Sequence, residues 1–292
     1  MTICAAGKTG GMEIYMDTMK KYDRLLALLR EHDSLAVAFS GGVDSAFLLY
    51  ASKQALGDRV TAYTAVSVFF PVREKSEADA FCREYGVRQV IVEYDPLAVE
   101  GIPQNPADRC YLCKRALFGK LIEIAKQHGI HAVAEGSNMD DMGDYRPGLR
   151  AISELKVLSP LREAQLTKDD IRKLSQAFGL PTWNKPSFAC LASRLVYGEA
   201  ITRKKLGMID RAEELLLSLG FTQFRVRLHG DMARIEILPE QIPLLVRDDI
   251  RLRVVDELSA LGFAYVSMDL GGYRTGSMNK GIDISAADDL YQ

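Results

Sequence analysis

Residues 35–39, LAVAF, form a short apolar run that ends in Ser40-Gly41-Gly42-Val43-Asp44-Ser45, and a helical apolar pattern follows at once, to about Leu56. A buried strand, a glycine turn and a helix in immediate succession leave few folds open. The succession repeats. Strands at 59–67, 87–95 and 130–136 alternate with helices at 74–86, 113–129 and 167–179, the last with Thr167 as N-cap, and an amphipathic helix at 12–31 precedes them all. This pattern predicts an α/β fold with a doubly wound parallel sheet. Ligands of such sheets sit beyond the carboxyl ends of the strands. After residue 200 the pattern changes to helix (202–219), strands (221–230 and 232–238), helix (240–261) and strand (263–270), which reads as a smaller C-terminal α/β domain. The expected organisation is a loose extension over 1–15, with Met12 or Met16 as an alternative start, a main domain over 16–199 and the small domain over 200–292.

Composition narrows the function classes. The 292 residues are 48% hydrophobic and 26% charged, ordinary values for a soluble globular protein. No apolar run approaches the ~20 residues of a membrane span, and the first residues lack the apolar core of a signal peptide. The net charge of −2 argues against nucleic acid as the main partner. Five cysteines, at 4, 82, 110, 113 and 190, are an odd and sparse set. They fit a reducing cytoplasm, where thiols are nucleophiles, ligands or core residues.

The turn at Ser40, Gly41, Gly42, Asp44 and Ser45 lets backbone approach a ligand and turns N–H groups toward it, with a helix N-terminus behind them that favours an anion. It is neither GxxxxGK[ST] nor GxGxxG. In its strand–turn–helix context SGGVDS is similar to the PP-loop of ATP pyrophosphatases, which split ATP between the α and β phosphates. The stretch AEGSNMDD (134–141) places Gly136, Asn138, Asp140 and Asp141 at the same sheet edge. It reads either as a contact to the nucleotide and its Mg²⁺ or as a polar turn after a strand. Cys110 and Cys113 make a CxxC at a helix start. No second CxxC and no HxxxH accompany it, which disfavours a closed zinc site. A redox pair and simple packing both remain open, and Arg109, Lys114 and Arg115 favour an anion or thiolate nearby. Cys190 lies among small residues with Arg194 four positions on. Arg194 suits either a thiolate or a phosphate. Arg225 and Arg227 alternate on one strand and so share a face. With Arg194 and Arg274 they make a candidate anion pocket, the other reading being solvated strand faces and salt bridges. Tyr111 is a candidate stacking ring for a planar substrate, or a packed tyrosine.

SGGVDS, RCYLCK (109–114), GSNMDD (136–141), KPSFACLASR (185–194) and DLGGYRTGSMN (269–279) follow one another in this order. Together they resemble the LarE family, the sulfur-inserting enzymes of nickel-pincer nucleotide synthesis, over about residues 16–280. The resemblance implies ATP and Mg²⁺ and a pyridinium-3,5-biscarboxylic acid mononucleotide as substrate. It implies adenylation of the substrate carboxylate and Cys190 as a sacrificial sulfur donor that ends as dehydroalanine. It also implies a homohexamer and a product that serves lactate racemase. Some family members carry extra cysteines around this site, hold an iron–sulfur cluster and act catalytically. Here Cys190 is followed by Leu191, Ala192 and Ser193, which favours the sacrificial branch, while Cys110 and Cys113 keep the other open. A PP-loop enzyme that thiolates tRNA through a persulfide is the remaining alternative. The sequence assigns no metal ligand.

Overall fold

The alternation of strands and helices produces the parallel sheet it predicts. The computed structural model describes residues 6–143, 147–186 and 189–274. Among these, one compact unit comprises residues 6–66, 72–94 and 114–186, and a second comprises 67–71, 95–113 and 189–274.

The first unit runs through α1 (Ala6–Arg30), β1 (Leu35–Ala38), α2 (Val43–Leu56), β2 (Val60–Val66), α3 (Val72–Glu84), β3 (Arg88–Glu93), the body of α4 (Arg109–Gln127), β4 (Val133–Ala134), α5 (Pro147–Glu154), α6 (Pro160–Glu163) and α7 (Lys168–Ala177). The strand order is β3-β2-β1-β4, and every pairing is parallel. Leu158 adds a single parallel bridge beyond Ala134. Successive residues of a strand point to opposite faces, and both faces here are buried. Leu35 and Val37 of β1 pack with α1, α2 and α7, whereas Ala36 packs with Phe118 and Leu121 of α4. This two-sided burial explains why LAVAF reads as continuous apolar sequence rather than as an alternation. α2 follows the same rule, since Val43, Ala46, Phe47, Leu48, Leu49 and Ala51 are all buried.

α1 starts at Ala6, so residues 6–15, expected as a loose extension, are helical; residues 1–5 lie outside the described residues. Extending an established helix costs far less than nucleating one. α1 is tied to α7 through Asp170. Thr167 caps α7 as expected: its Oγ1 accepts from the Asp170 N–H at 3.2 Å, and the Asp170 carboxylate accepts from the Thr167 N–H at 3.1 Å. The same carboxylate accepts from Thr18 Oγ1 and Lys21 Nζ of α1, each at 2.8 Å.

The second unit contains α8 (Arg203–Ser218), β5 (Phe224–His229), β6 (Met232–Ile237), α9 (Ile242–Leu245), α10 (Asp248–Leu261) and β7 (Tyr265–Met268). Its sheet order is β5-β6-β7, antiparallel between β5 and β6 and parallel between β6 and β7. Ile209 and Leu216 of α8 and Val254 and Leu258 of α10 pack against Val226 and Ile235 of the sheet. The single helix expected over 240–261 is broken in two. Arg247 is extended, with φ −60 and ψ 139, and its guanidinium bonds the Asp249 carboxylate at 2.8 and 3.1 Å. Asp248 and Asp249 therefore begin a new helix, where acidic residues complement the N-terminal dipole. Among the described residues no helix is long and apolar enough to cross a membrane.

The Asp170 node has a measurable weight. Burial alone would raise its pKa, but the bonds from Lys21, Thr167 and Thr18 prevail and hold it at about 2. A lowered carboxylate stabilises fully above its unfolded pKa near ~4 and loses this as pH falls through the folded value. Asp170→Asn is expected to cost about 2 kcal/mol at pH 7. The gap to wild type should shrink between about pH 4 and about pH 2, as urea unfolding at several pH values would show.

Candidate active site

Ser40 to Ser45 links β1 to α2 as a preformed loop. Gly41 has φ +74, a backbone state that only glycine adopts without strain. Gly42 is extended and takes the N-cap position of α2, and no side chain caps that helix start. The loop is held by its own serines. Ser45 Oγ donates to Gly42 O at 3.2 Å and accepts from the Ser40 N–H at 3.3 Å, and the two hydroxyls lie 3.1 Å apart. The first-turn N–H groups of a helix have no intrahelical acceptor. At an uncapped end they make an anion site.

The end of β4 lies against this loop. A Cβ on Gly136 would stand 3.0 Å from Ser45 N and 3.3 Å from the Asp44 carbonyl carbon, both backbone atoms that cannot swing away. Glu135, beside it, is buried and accepts from the Ser137 N–H at 3.1 Å and from the Ser137 and Ser159 hydroxyls at 2.8 Å each. The segment after it is thereby fixed. Asn138 Nδ2 donates to Asp44 Oδ1 at 3.2 Å, and Asn138 N donates to Asp141 Oδ2 at 2.9 Å. The seven residues expected at the nucleotide, Ser40, Gly41, Gly42, Asp44, Ser45, Asn138 and Asp141, thus form one connected group.

Two lysines join this group that the sequence reading did not single out. Lys168, the first residue of α7, places Nζ on Asp44 Oδ2 and donates its own N–H to Asp140 Oδ2 at 2.8 Å. Lys185 Nζ donates to Gly41 O at 2.9 Å and to Glu77. They supply the positive charge that the loop itself lacks. Burial raises the pKa of Asp44, and Lys168 and Asn138 oppose this while Asp141 adds to it.

In the second unit Cys190 is half-buried and caps a short 3₁₀ turn, Leu191–Arg194. Its carbonyl accepts from Ser193 N at 2.9 Å, Ser193 Oγ at 2.7 Å and Arg194 Nη1 at 3.0 Å. Arg194 is fully buried and binds Glu213 through two 2.9 Å bonds, from Nε and Nη2. Expected at an anion, its guanidinium is instead committed to Glu213 and to the turn that carries Cys190. Arg225 and Arg227 share a face of β5 as expected, and both are buried. Arg227 bonds Glu236 at 2.9 and 3.1 Å and Ser193 O at 3.1 Å. Arg225 donates to Phe224 O at 2.6 Å and lies 5.1 Å from the centre of the Tyr273 ring. Burial and the neighbouring Arg194 lower its pKa to about 10. Arg274 is exposed, 3.4 Å from Asp269. Tyr111 is buried, which favours the packed reading of its ring. Cys110 and Cys113 are half-buried free thiols, whereas Cys82 is buried and pushed up to about 12 by desolvation. Among the described residues no three or more His, Cys, Asp or Glu side chains are arranged to hold a metal ion.

Charge-assisted hydrogen bonds to phosphate are the contacts Lys168 and Lys185 can offer. Lys168→Ala is expected to weaken ATP binding about tenfold or more in calorimetric titration. Lys173→Ala, on the solvent side of the same helix and paired with Asp169, should leave binding unchanged.

No family model matches the chain. An uncharacterized protein of Synechocystis sp. is 40% identical over 260 residues, covering 89% of this chain and 97% of that protein. The pyridinium-3,5-bisthiocarboxylic acid mononucleotide synthase of Lactiplantibacillus plantarum is 40% identical over 257 residues, covering 87% of this chain and 92% of that enzyme. More distantly, the glutamine-hydrolyzing GMP synthase of Oleidesulfovibrio alaskensis is 26% identical over 274 residues, covering 81% of this chain and 50% of that enzyme. With the SGGVDS loop at the carboxyl edge of a parallel sheet, these relatives show that the chain belongs to the LarE family, the pyridinium-3,5-bisthiocarboxylic acid mononucleotide synthases, within the PP-loop superfamily of ATP-using enzymes.

Proposed function

We propose that the protein is an ATP-dependent sulfur transferase that converts the carboxylates of pyridinium-3,5-biscarboxylic acid mononucleotide to thiocarboxylates, with Cys190 as the sacrificial sulfur source. The observation that carries this reading is the pairing, in one chain of this family, of a preformed SGGVDS anion loop with a half-buried cysteine on a rigid turn.

A carboxylate is a poor electrophile. Its oxygen attacks the α phosphorus of ATP, pyrophosphate departs, and a mixed anhydride forms. The α2 N-terminus, Lys168 and Lys185 stabilise the charge on the departing pyrophosphate. Mg²⁺ suits the same place, because two neighbouring carboxylates, Asp44 and Asp141, with phosphate oxygens are the hard donor set it takes. When bound it would offset phosphate charge. The Cys190 thiolate then attacks the acyl carbon and releases AMP. Loss of the Cys190 Cα proton breaks the Cβ–S bond, frees the thiocarboxylate and leaves dehydroalanine. Each chain thereby delivers one sulfur, so a substrate with two carboxylates consumes two chains. Arg225 and Arg227 are the candidates for the substrate phosphate, with Arg274 and Tyr111 further out. A cytoplasmic homohexamer that serves lactate racemase maturation follows from the same resemblance.

Intact-mass analysis after incubation with ATP, Mg²⁺ and the dicarboxylate nucleotide tests the reading. The expected change is loss of one H₂S equivalent per chain, mapped to Cys190. An intact Cys190 after several turnovers would refute it and favour a catalytic sulfur relay. Separately, Asp44→Ala should lower pyrophosphate release at least about a hundredfold with an unchanged circular dichroism spectrum, and normal release would remove the loop from the mechanism.

A further inference from the structure

Arg109 is the first residue of α4, and it is only 2% exposed. A buried guanidinium needs partners, and here they point to a role. Nη1 donates to Ala192 O at 3.2 Å and to Asn105 Oδ1. Asn105 is itself fully buried, holds φ +56, and donates Nδ2 to Val196 O at 2.7 Å. The Tyr197 ring lies 5.2 Å from the guanidinium carbon. The fork is thus clamped against the short turn that Cys190 caps. Burial opposes its charge, but Cys190, Cys110, to which it also hydrogen-bonds, and Tyr197 prevail and raise its pKa.

The other cations near the turn are already matched. Arg194 reaches the Cys190 carbonyl but is bidentate on Glu213, and Arg227 reaches Ser193 O but is paired with Glu236. The partners of Arg109 are thiols, a phenol and neutral oxygens.

We propose that Arg109 is the positioning residue of the Cys190 sulfur, serving as counter-charge to the thiolate and fixing the turn through Ala192 O. This rests on Cys190 as the reacting thiol. Its test needs neither ATP nor nucleotide, so it stands or falls separately from sulfur donation. A nearby cation draws in an anionic alkylating agent but not a neutral one. The full-length protein is treated with iodoacetate or iodoacetamide at one pH, and the rate at Cys190 is read by peptide mass spectrometry. In Arg109→Gln the iodoacetate-to-iodoacetamide rate ratio at Cys190 should fall about fivefold, the order expected for removing one close charge. Arg109→Lys, which keeps the charge without the fork, should hold the ratio within about twofold of wild type. A purely structural role would change both rates together. An unchanged ratio in Arg109→Gln overturns the proposal. Should that variant fail to fold, the wild-type ratio decides: it should fall as salt screens the charge, and a salt-independent ratio overturns the proposal equally.

Discussion

The close approach of Gly136 to the Asp44–Ser45 backbone is the contact on which the nucleotide end of the molecule depends. Parallel strands deliver their carboxyl ends to one edge, but adjacency there is not yet a site. A Cβ at 136 would come within 3.0 Å of Ser45 N, and the gap it leaves lets the end of β4 press directly on the loop. Asn138 is then close enough to bond Asp44, and its backbone takes Asp141 as partner. The N-terminus of α7 enters through Lys168 N on Asp140. Three separate stretches of chain share one hydrogen-bonded group. The Asp170 capping box and its bonds to α1 keep α7 where Lys168 must stand.

The second unit solves a different problem. Buried guanidinium–carboxylate pairs are a weak source of stability, since desolvation offsets most of the attraction. Arg194 with Glu213 and Arg227 with Glu236 are therefore better understood through what else they touch. Arg194 reaches the carbonyls of Ala189 and Cys190, and Arg227 reaches that of Ser193. The pairs anchor four consecutive residues of irregular backbone whose polar groups would otherwise need water. A lysine in either place lacks the planar fork that holds a carboxylate and a carbonyl at once.

How much of this was legible in the sequence depends on the range of the interaction. The SGGVDS loop is local, and its glycines and serines announce it, as does the Thr167 cap. The strand–helix alternation specifies the sheet, because burial on both faces leaves a continuous apolar signature. The meeting of Asn138 with Asp44 follows from the shared sheet edge. The lysines do not follow: Lys168 and Asp44 are 124 positions apart, and Lys185 and Gly41 are 144. Nothing local marks either lysine off from a solvated one. Arg194 shows the converse. Beside a cysteine and small residues it reads as available charge, and Glu213, its partner, reads as the polar face of a helix. Asp248 and Asp249 read as mid-helix charges until the extended Arg247 shows them to begin α10.

A protein that gives up a side-chain atom in each event is under different physical demands from a repeating catalyst. Release of the protein product need not be fast, and the donor residue must be protected until the activated carboxylate is present. An exposed thiolate is open to oxidation and to stray electrophiles. Half-burial of Cys190, a turn fixed by Arg194 and Ser193, and a cation-bearing wall at Arg109 limit access while leaving the sulfur reachable by a planar acyl group. The later elimination adds a second demand, because the Cα–H bond of Cys190 must align with the breaking S–Cβ bond. Pinning the Cys190 carbonyl with three donors restricts rotation about that Cα far more than packing alone would. On this argument the density of hydrogen bonds around one carbonyl serves the cleavage of the cysteine as much as the stability of the fold.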